Sequence, residues 1–446
     1  MWSTINKVDF EKFLELYPQL FIFEKELQLY SNDTTIFLPR YFYNSFNKAN
    51  QYITFYEDSE WKPQTFDWMT FNGELYENQI KLIGPVLDRI NSERNVGVIK
   101  ARPGAGKTVI GVYLAVETQK RTLIIIDNSN LLEQWKDSIL KFTNLEEENI
   151  GHIQGKIFHV TDKTPIVICM VQTLVSKIKK DIKQFYLKIR DAGFDLVLFD
   201  ECHKSSTGPK YATAALLLNT KNIIGLSATP FVQSLHKLML ENTIGETIVE
   251  DKQYELIPKI FFVKYDSGLT ESYGRRISYS RDFIRQRAMF NKAIVKSDVY
   301  FQVIFELTKT LVADGHRIII IAFTKEQVTQ ISNCLTTNGI QNRQFYSQKR
   351  EIDKENDVVL VATYAYASHG FDMQKLSGVI IASPLSGKKS LIQCTGRILR
   401  SDDNKKSPVV YDLIEREFNG LFLRDIPTKK KIFKEEFGCE TKEIEM

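Results

Sequence analysis

From residue 96 onward the chain alternates short, nearly continuous apolar runs with longer stretches of helical length. The runs at 96–99, 122–126, 166–170, 196–199 and 223–226 are dominated by Ile, Val and Leu and lack every-second-residue alternation. Strands buried on both faces read this way, as in a parallel sheet. Between them lie 107–116, 131–142, 174–190 and 211–218, each long enough for a helix. Strands alternating with helices predict a doubly wound α/β sheet. The same pattern restarts with apolar runs at 317–322, 357–362, 379–382 and 409–412 and helical stretches at 298–313, 325–337 and 390–399. A second α/β domain is therefore expected, entered through 250–287 by way of a Gly- and Ser-bearing connection at 266–280. The terminal stretch 424–446 carries six basic and six acidic residues and reads as a solvated helix.

Composition separates the first part of the chain from the rest. The 446 residues hold 59 Lys plus Arg and 55 Asp plus Glu, a net charge of +4, too small for a histone-like polycation. Residues 1–74 have 6 basic and 11 acidic side chains, and residues 1–76 hold 20 of the 52 aromatic residues. We therefore expect three parts: a small N-terminal α+β accessory domain at 1–74, an α/β domain at 75–250 and another at 251–446. The accessory part is a candidate DNA-binding element, since aromatic faces stack on bases, with Arg40 beside Tyr41, Phe42 and Tyr43 as its one local cationic spot. A small domain also needs large side chains merely to build a core. Five scattered cysteines without a C-x-x-C pair argue against a disulfide framework or a structural zinc site and fit a reducing, intracellular compartment. No signal peptide and no membrane span is expected, because the strongest apolar runs are only strand-length.

Chemistry concentrates at three places. The segment Ala101-Arg102-Pro103-Gly104-Ala105-Gly106-Lys107-Thr108 follows a predicted strand and opens a predicted helix. Gly104 and Gly106 permit the tight path that turns backbone N–H groups toward a phosphate; Lys107 can reach the β- and γ-phosphates, and Thr108 can ligate Mg²⁺. Asp200-Glu201-Cys202-His203 leaves the end of another apolar strand. Asp200 is placed there to hold Mg²⁺ through water, Glu201 to polarise an attacking water, and His203 to link the nucleotide site to neighbouring segments. In Gln393-Cys394-Thr395-Gly396-Arg397-Ile398-Leu399-Arg400, Arg397 and Arg400 are three apart, so one helix face could offer two guanidinia to a phosphate chain. Cys202 and Cys394 read as packing residues. Lys429, Lys430 and Lys431 read as a solvated face with phosphate contact as the alternative.

These segments, in this order, resemble the motif series of the superfamily 2 helicases, in which two RecA-like (P-loop NTPase) domains close on ATP. The resemblance runs from Gln79 to Arg400. It implies that Gln79 contacts adenine, that 101–108 is motif I, DECH at 200–203 is motif II, and Ser227, Ala228 and Thr229 form the coupling motif III. It implies nucleic-acid contacts at Asn128, Gln172, Thr173, Phe323, Thr363 and Gly370, with Asp372 beside the nucleotide. Gln393, Arg397 and Arg400 fall in motif VI, the two arginines as fingers. Asp127 and Asn128 stand where the family usually has Pro-Thr, and His369 where Glu is common.

Within the superfamily the chain resembles phage and large-virus branched-DNA helicases of the UvsW type and the related poxvirus transcript-release helicases. That likeness implies a monomeric, cytoplasmic motor using ATP and Mg²⁺ on single-stranded, forked or branched DNA, moving 3′ to 5′. An RNA helicase or transcript-release factor is the alternative enzyme, and a catalytically silent nucleic-acid clamp the alternative of another class.

Overall fold

The computed structural model describes residues 2–6, 35–38, 54–56, 62–92, 96–180, 182–203, 214–215, 218, 220, 222–228, 234–251, 254, 256–269, 283–346, 353, 356–367, 373, 375–385, 387–399, 405–416 and 422–446. The chain divides into two compact units, Met1–Asp251 and Lys252–Met446.

At the start of the first unit, β1 (Trp2–Asn6) pairs antiparallel with both β2 (Thr35–Leu38) and β3 (Thr54–Tyr56). The main sheet of this unit holds β4 (Val98–Lys100), β5 (Thr122–Ile126), β6 (Ile150–Gln154), β7 (Ile157–His159), β8 (Ile166–Met170), β9 (Leu196–Asp200), β10 (Asn222–Ser227) and β11 (Thr247–Glu250). Its order is β11-β4-β10-β9-β5-β8-β6-β7. Every pair is parallel except the β6–β7 hairpin. The helices are α1 (Glu77–Asn91), α2 (Lys107–Thr118), α3 (Ser129–Phe142), α4 (Val171–Lys180), α5 (Ile182–Asp191) and α6 (Ser234–Thr243).

The continuous apolar runs acquire a simple explanation here. Successive residues of one strand feed opposite faces of the sheet, so Ile124, Ile126, Leu196 and Leu198 enter one core while Leu123, Ile125, Val197 and Phe199 enter the other. Each such burial is worth roughly 1.5–3 kcal/mol.

The stretch expected as one helix at 174–190 is two, α4 and α5, and most of the helix expected at 211–218 lies outside the described residues. Residues 64–72, read by composition with the leader, are fastened to the main sheet's unit. Arg121 N donates to Gln64 O at 2.9 Å, Phe66 N to Gln119 O at 2.7 Å and Asn72 N to Phe142 O at 2.8 Å, while Phe66 and Met69 are buried in the core. The buried Arg121 adds a clamp, with Nη1 on Ala192 O and Nη2 on Thr161 O, both at 2.7 Å, and its guanidinium 5.0 Å from the Phe66 ring centre.

Among its described residues the second unit has one sheet in the order β14-β15-β13-β16-β17-β12-β18, with all pairs parallel. Its strands are β12 (Lys259–Tyr265), β13 (Ile318–Ala322), β14 (Arg343–Phe345), β15 (Val359–Thr363), β16 (Gly378–Ile381), β17 (Val409–Glu415) and β18 (Thr441–Glu445). The helices are α7 (Phe283–Ile294), α8 (Asp298–Ala313), α9 (Lys325–Thr337), the short α10 (Tyr364–Ala367), α11 (Lys388–Gly396) and α12 (Ile426–Phe437).

The tail corrects the sequence reading. It is not a solvated helix: α12 buries Ile432, Phe433 and Phe437, and the chain then adds β18 to the sheet beside β12. Lys429, expected on a solvated face, is buried and pairs with Asp412 at 2.7 Å. Alternating charge in 441–445 hid the strand, because an edge strand keeps much of its surface wet and needs no apolar run.

Candidate active site

In the first unit the candidate groups gather where parallel strands end and helices begin, the edge at which doubly wound sheets bind ligands. The turn from β4 into α2 is shaped by Gly104 at φ 88° and Gly106 at φ 76°, a region that costs glycine nothing. Gly106 has a second constraint: a Cβ built there would lie 2.3 Å from Gln79 Nε2. The first N–H groups of a helix have no i−4 partner within it, so the start of α2 is the kind of end at which an anion can bind.

Around this loop the predicted residues come together. Lys107 Nζ stands 4.0 Å from Glu201 Oε1, a loose pair. Glu201 has φ 50°, a conformation that a non-glycine residue keeps only where its surroundings enforce it. Its N–H donates to Asp200 Oδ1 at 2.9 Å, and Trp135 Nε1 donates to Asp200 Oδ2 at 2.9 Å. Asp200 is buried, and burial first, then the adjacent Glu201, pushes its carboxyl up to about 6 against the opposing pull of Trp135 and Lys107. His203 Nδ1 lies 3.2 Å from Glu201 Oε2 and 3.0 Å from Ser227 Oγ, joining motif II to the end of β10. Ala228 follows that strand and is buried; Thr229 lies outside the described residues.

Several residues sit differently from their simplest reading. Gln79 is buried, its Nε2 donating to Ala105 O at 3.1 Å and its Oε1 accepting from Tyr76 N at 3.0 Å, so it fastens α1 to the loop between β4 and α2. Arg102 turns its Nε to Asp251, 2.9 Å away. Thr108 Oγ1 accepts from Gln134 Nε2 at 3.3 Å. Asn128 caps α3 through Leu131 N at 3.0 Å, while Gln172 is exposed and donates to Asp127 O at 2.6 Å. Thr173 is buried, and its hydroxyl accepts from Gly155 N at 2.9 Å. Cys202 and Cys394 are both buried; burial pushes the Cys202 thiol well up and that of Cys394 up to about 12, as packing residues would behave.

In the second unit Phe323 leaves β13 and Tyr364 leaves β15 after the buried Thr363. Their rings stack at 5.5 Å, and the Arg287 guanidinium lies 3.9 Å from the Phe323 centroid. Tyr364 donates from its hydroxyl to Ser390 Oγ at 2.9 Å, reaching α11. That helix buries Gln393 and ends at Arg397. Gly370, Asp372 and Arg400 lie outside the described residues.

Sequence reasoning missed Trp135 and Asp251. Trp135 could have been found, since Leu131, Leu132, Trp135 and Ile139 recur at helical spacing and a buried indole N–H needs an acceptor. Asp251 carries no local signal.

Comparison with known proteins agrees with this geometry. The profile of the family described as "Type III restriction enzyme, res subunit" matches residues 72–232. A putative ATP-dependent RNA helicase of Acanthamoeba polyphaga mimivirus is 26% identical over 386 residues, covering 82% of this chain and 69% of that protein. The DNA 3'-5' helicase XPB of Kineococcus radiotolerans is 32% identical over 134 residues, 30% of this chain and 23% of that protein. Among solved structures, "S. cerevisiae Dbp5 bound to RNA and ADP BeF3" is similar in fold, with TM-score 0.57 and 12% identity over 83% of this chain and 90% of that one. The two parallel sheets are RecA-like domains, and the chain is an enzyme of the nucleic-acid-dependent ATPase/helicase type.

Proposed function

We propose that the chain is an ATP-driven translocase that acts on DNA, opening or remodelling forked and branched duplexes with 3′-to-5′ movement. The observation that carries the motor chemistry is the Lys107–Glu201 pair, 4.0 Å apart beside a loop whose Gly106 admits no side chain. A lysine held loosely by its own carboxylate can exchange that partner for a phosphate. Glu201 then orients water for in-line attack, its geometry set by Asp200 and by His203. Thr108 and Asp200 offer hard oxygen donors of the kind Mg²⁺ takes, so they fit the metal and would hold it. When bound with ATP, Mg²⁺ supplies neutralisation of the phosphate charge. His203 and Ser227 tie the water-orienting residue to β10, so a change at the phosphates reaches motif III. Arg397 and Arg400 are proposed as arginine fingers, and Gln79 and Asp372 as nucleotide contacts.

The DNA reading is supported by the family profile and by the stretch shared with a DNA 3'-5' helicase. The RNA reading draws on the mimivirus relative, whose name is that of an RNA helicase. Backbone contacts read no base sequence, so neither reading follows from the motifs alone. The deciding experiment compares ATPase stimulation and strand separation on single-stranded DNA, forked DNA, four-way junctions and RNA duplexes at one salt concentration. We expect forks and junctions to exceed RNA duplexes by about tenfold in strand separation, about 1.4 kcal/mol of discrimination. Preference for RNA duplexes would replace the DNA reading with the RNA one, and absence of any nucleic-acid stimulation would sink the motor.

A further inference from the structure

The acids that end the first unit are matched to the cations of its glycine-rich turn. β11 runs parallel to β4, and the register slips between Thr247 and Val249, so that Val249 stands opposite Ile99 and Glu250 opposite Lys100. Asp251 N then donates to Lys100 O at 2.8 Å, carrying the ladder one residue past β11. A slip of one residue exchanges the faces on which the following side chains stand. Here it sets two consecutive carboxylates against two cations: Glu250 pairs with Lys100, and Asp251 Oδ2 lies 2.9 Å from Arg102 Nε.

The two pairs differ in setting. Lys100 and Glu250 have side chains 28% and 27% exposed, whereas those of Arg102 and Asp251 are both 9% exposed. A wet pair contributes little, and a dry one commits its members, because removing either leaves the other's charge without compensation. The dry pair also sits at the turn itself. Arg102 opens the path from β4 to α2: its carbonyl accepts from Ala105 N at 3.2 Å, and Ala105 O in turn accepts from Gln79 Nε2 at 3.1 Å. The turn is thus held from α1 at its far end and from Asp251 at its near end. A guanidinium beside an anion site is drawn toward the anion unless a carboxylate holds it.

We propose that Asp251 is a positioning residue for nucleotide: it holds Arg102, and through it the first residue of the turn, in the shape that receives phosphates. The inference rests on the motor reading above, in which this turn takes the phosphates of ATP. Asp251 touches no phosphate; it lowers the ordering that binding would otherwise require of the turn.

The test uses the full chain, Mg²⁺ and a fluorescent ATP analogue, with affinity measured by titration at two salt concentrations alongside KM and kcat for ATP. Asp251→Ala is expected to weaken analogue binding and raise KM about tenfold at the higher salt, with kcat at saturating ATP within about threefold of wild type. At the lower salt the lost negative charge offsets part of that effect, because it is less screened there. Asp251→Asn, isosteric with the native residue, should move affinity and KM in the same direction and by less. Arg102→Ala should match Asp251→Ala, and combining the two should change affinity by less than about twofold beyond Arg102→Ala, as when one residue acts through the other. Glu250→Gln, one step back along the same ladder, should keep the wild-type KM, which separates the turn from a general loosening of β11. Wild-type KM at the higher salt in both Asp251 variants, or an undiminished loss from Asp251→Ala in the Arg102→Ala background, would overturn the positioning role and leave the motor reading intact. Failure of the wild-type chain to bind the ATP analogue would overturn both.

Discussion

Two lysine–carboxylate pairs, one in each unit, show how the same chemistry serves opposite ends. Lys107 and Glu201 stand 4.0 Å apart with side chains 15% and 20% exposed, beyond the ends of their strands. Lys429 and Asp412 meet at 2.7 Å with side chains 4% and 0% exposed, where α12 covers β17. Burial pushes the Asp412 carboxyl up and Lys429 pulls it back, so the partner must stay if the charge is to be tolerated. The pair proposed to admit a phosphate is the looser and more exposed one, while the pair that holds a helix on a sheet is closed. Separation and exposure, not residue type, distinguish the two.

Four single substitutions and one double replacement break or sharpen that contrast. Lys107→Ala should have the largest effect: nucleic-acid-stimulated ATPase falls about a thousandfold or more, about 4 kcal/mol of lost transition-state stabilisation, while thermal stability moves by only about 0.5 kcal/mol. Substantial stimulated turnover in that variant would remove Lys107 from the phosphate site. Glu201→Gln should retain ATP in a nucleotide-binding assay and lose about 10²–10⁴ in turnover; near-wild-type turnover would pass the water-orienting role to another group. Lys429→Ala should behave in the reverse way, lowering stability by about 3–5 kcal/mol in denaturant melts because Asp412 is left buried and unpaired. The double replacement Asp412→Leu with Lys429→Met should recover most of that loss, and if it unfolds as readily as the single variant the pair is not what holds α12. Gly106→Ala should be smallest, about 1–3 kcal/mol from a strained φ, with weakened nucleotide binding as the added Cβ displaces Gln79. Unchanged ATP affinity there would mean the loop relaxes.

The closed pair also marks where sequence reading stopped. The strand-end positions of 101–108 and 200–203 were legible because flanking apolar runs placed both where a strand stops. Lys429 sits in a run of three lysines and looked solvated; only the arrival of α12 over Asp412 turned one of the three inward. Gln79 is expected from the resemblance as an adenine contact, and its engagement with Ala105 O and Tyr76 N depends on a loop 26 residues away and on local capping. Thr173 was read through the resemblance as a nucleic-acid contact, and its hydroxyl is on Gly155. The β6–β7 hairpin had no apolar run to announce it, since β7 is three residues long and partly exposed.

The sequence by itself determined the class of the fold: two α/β domains, with a glycine-rich turn at one strand end and an acidic pair at another, because parallel strands need continuous apolar runs. Tertiary structure alone decided which polar groups are committed. Strand order and register, which no local pattern encodes, bring Trp135 to Asp200 and Arg102 to Asp251, and pairing across such distances is what separates a residue that serves a ligand from one that serves the fold.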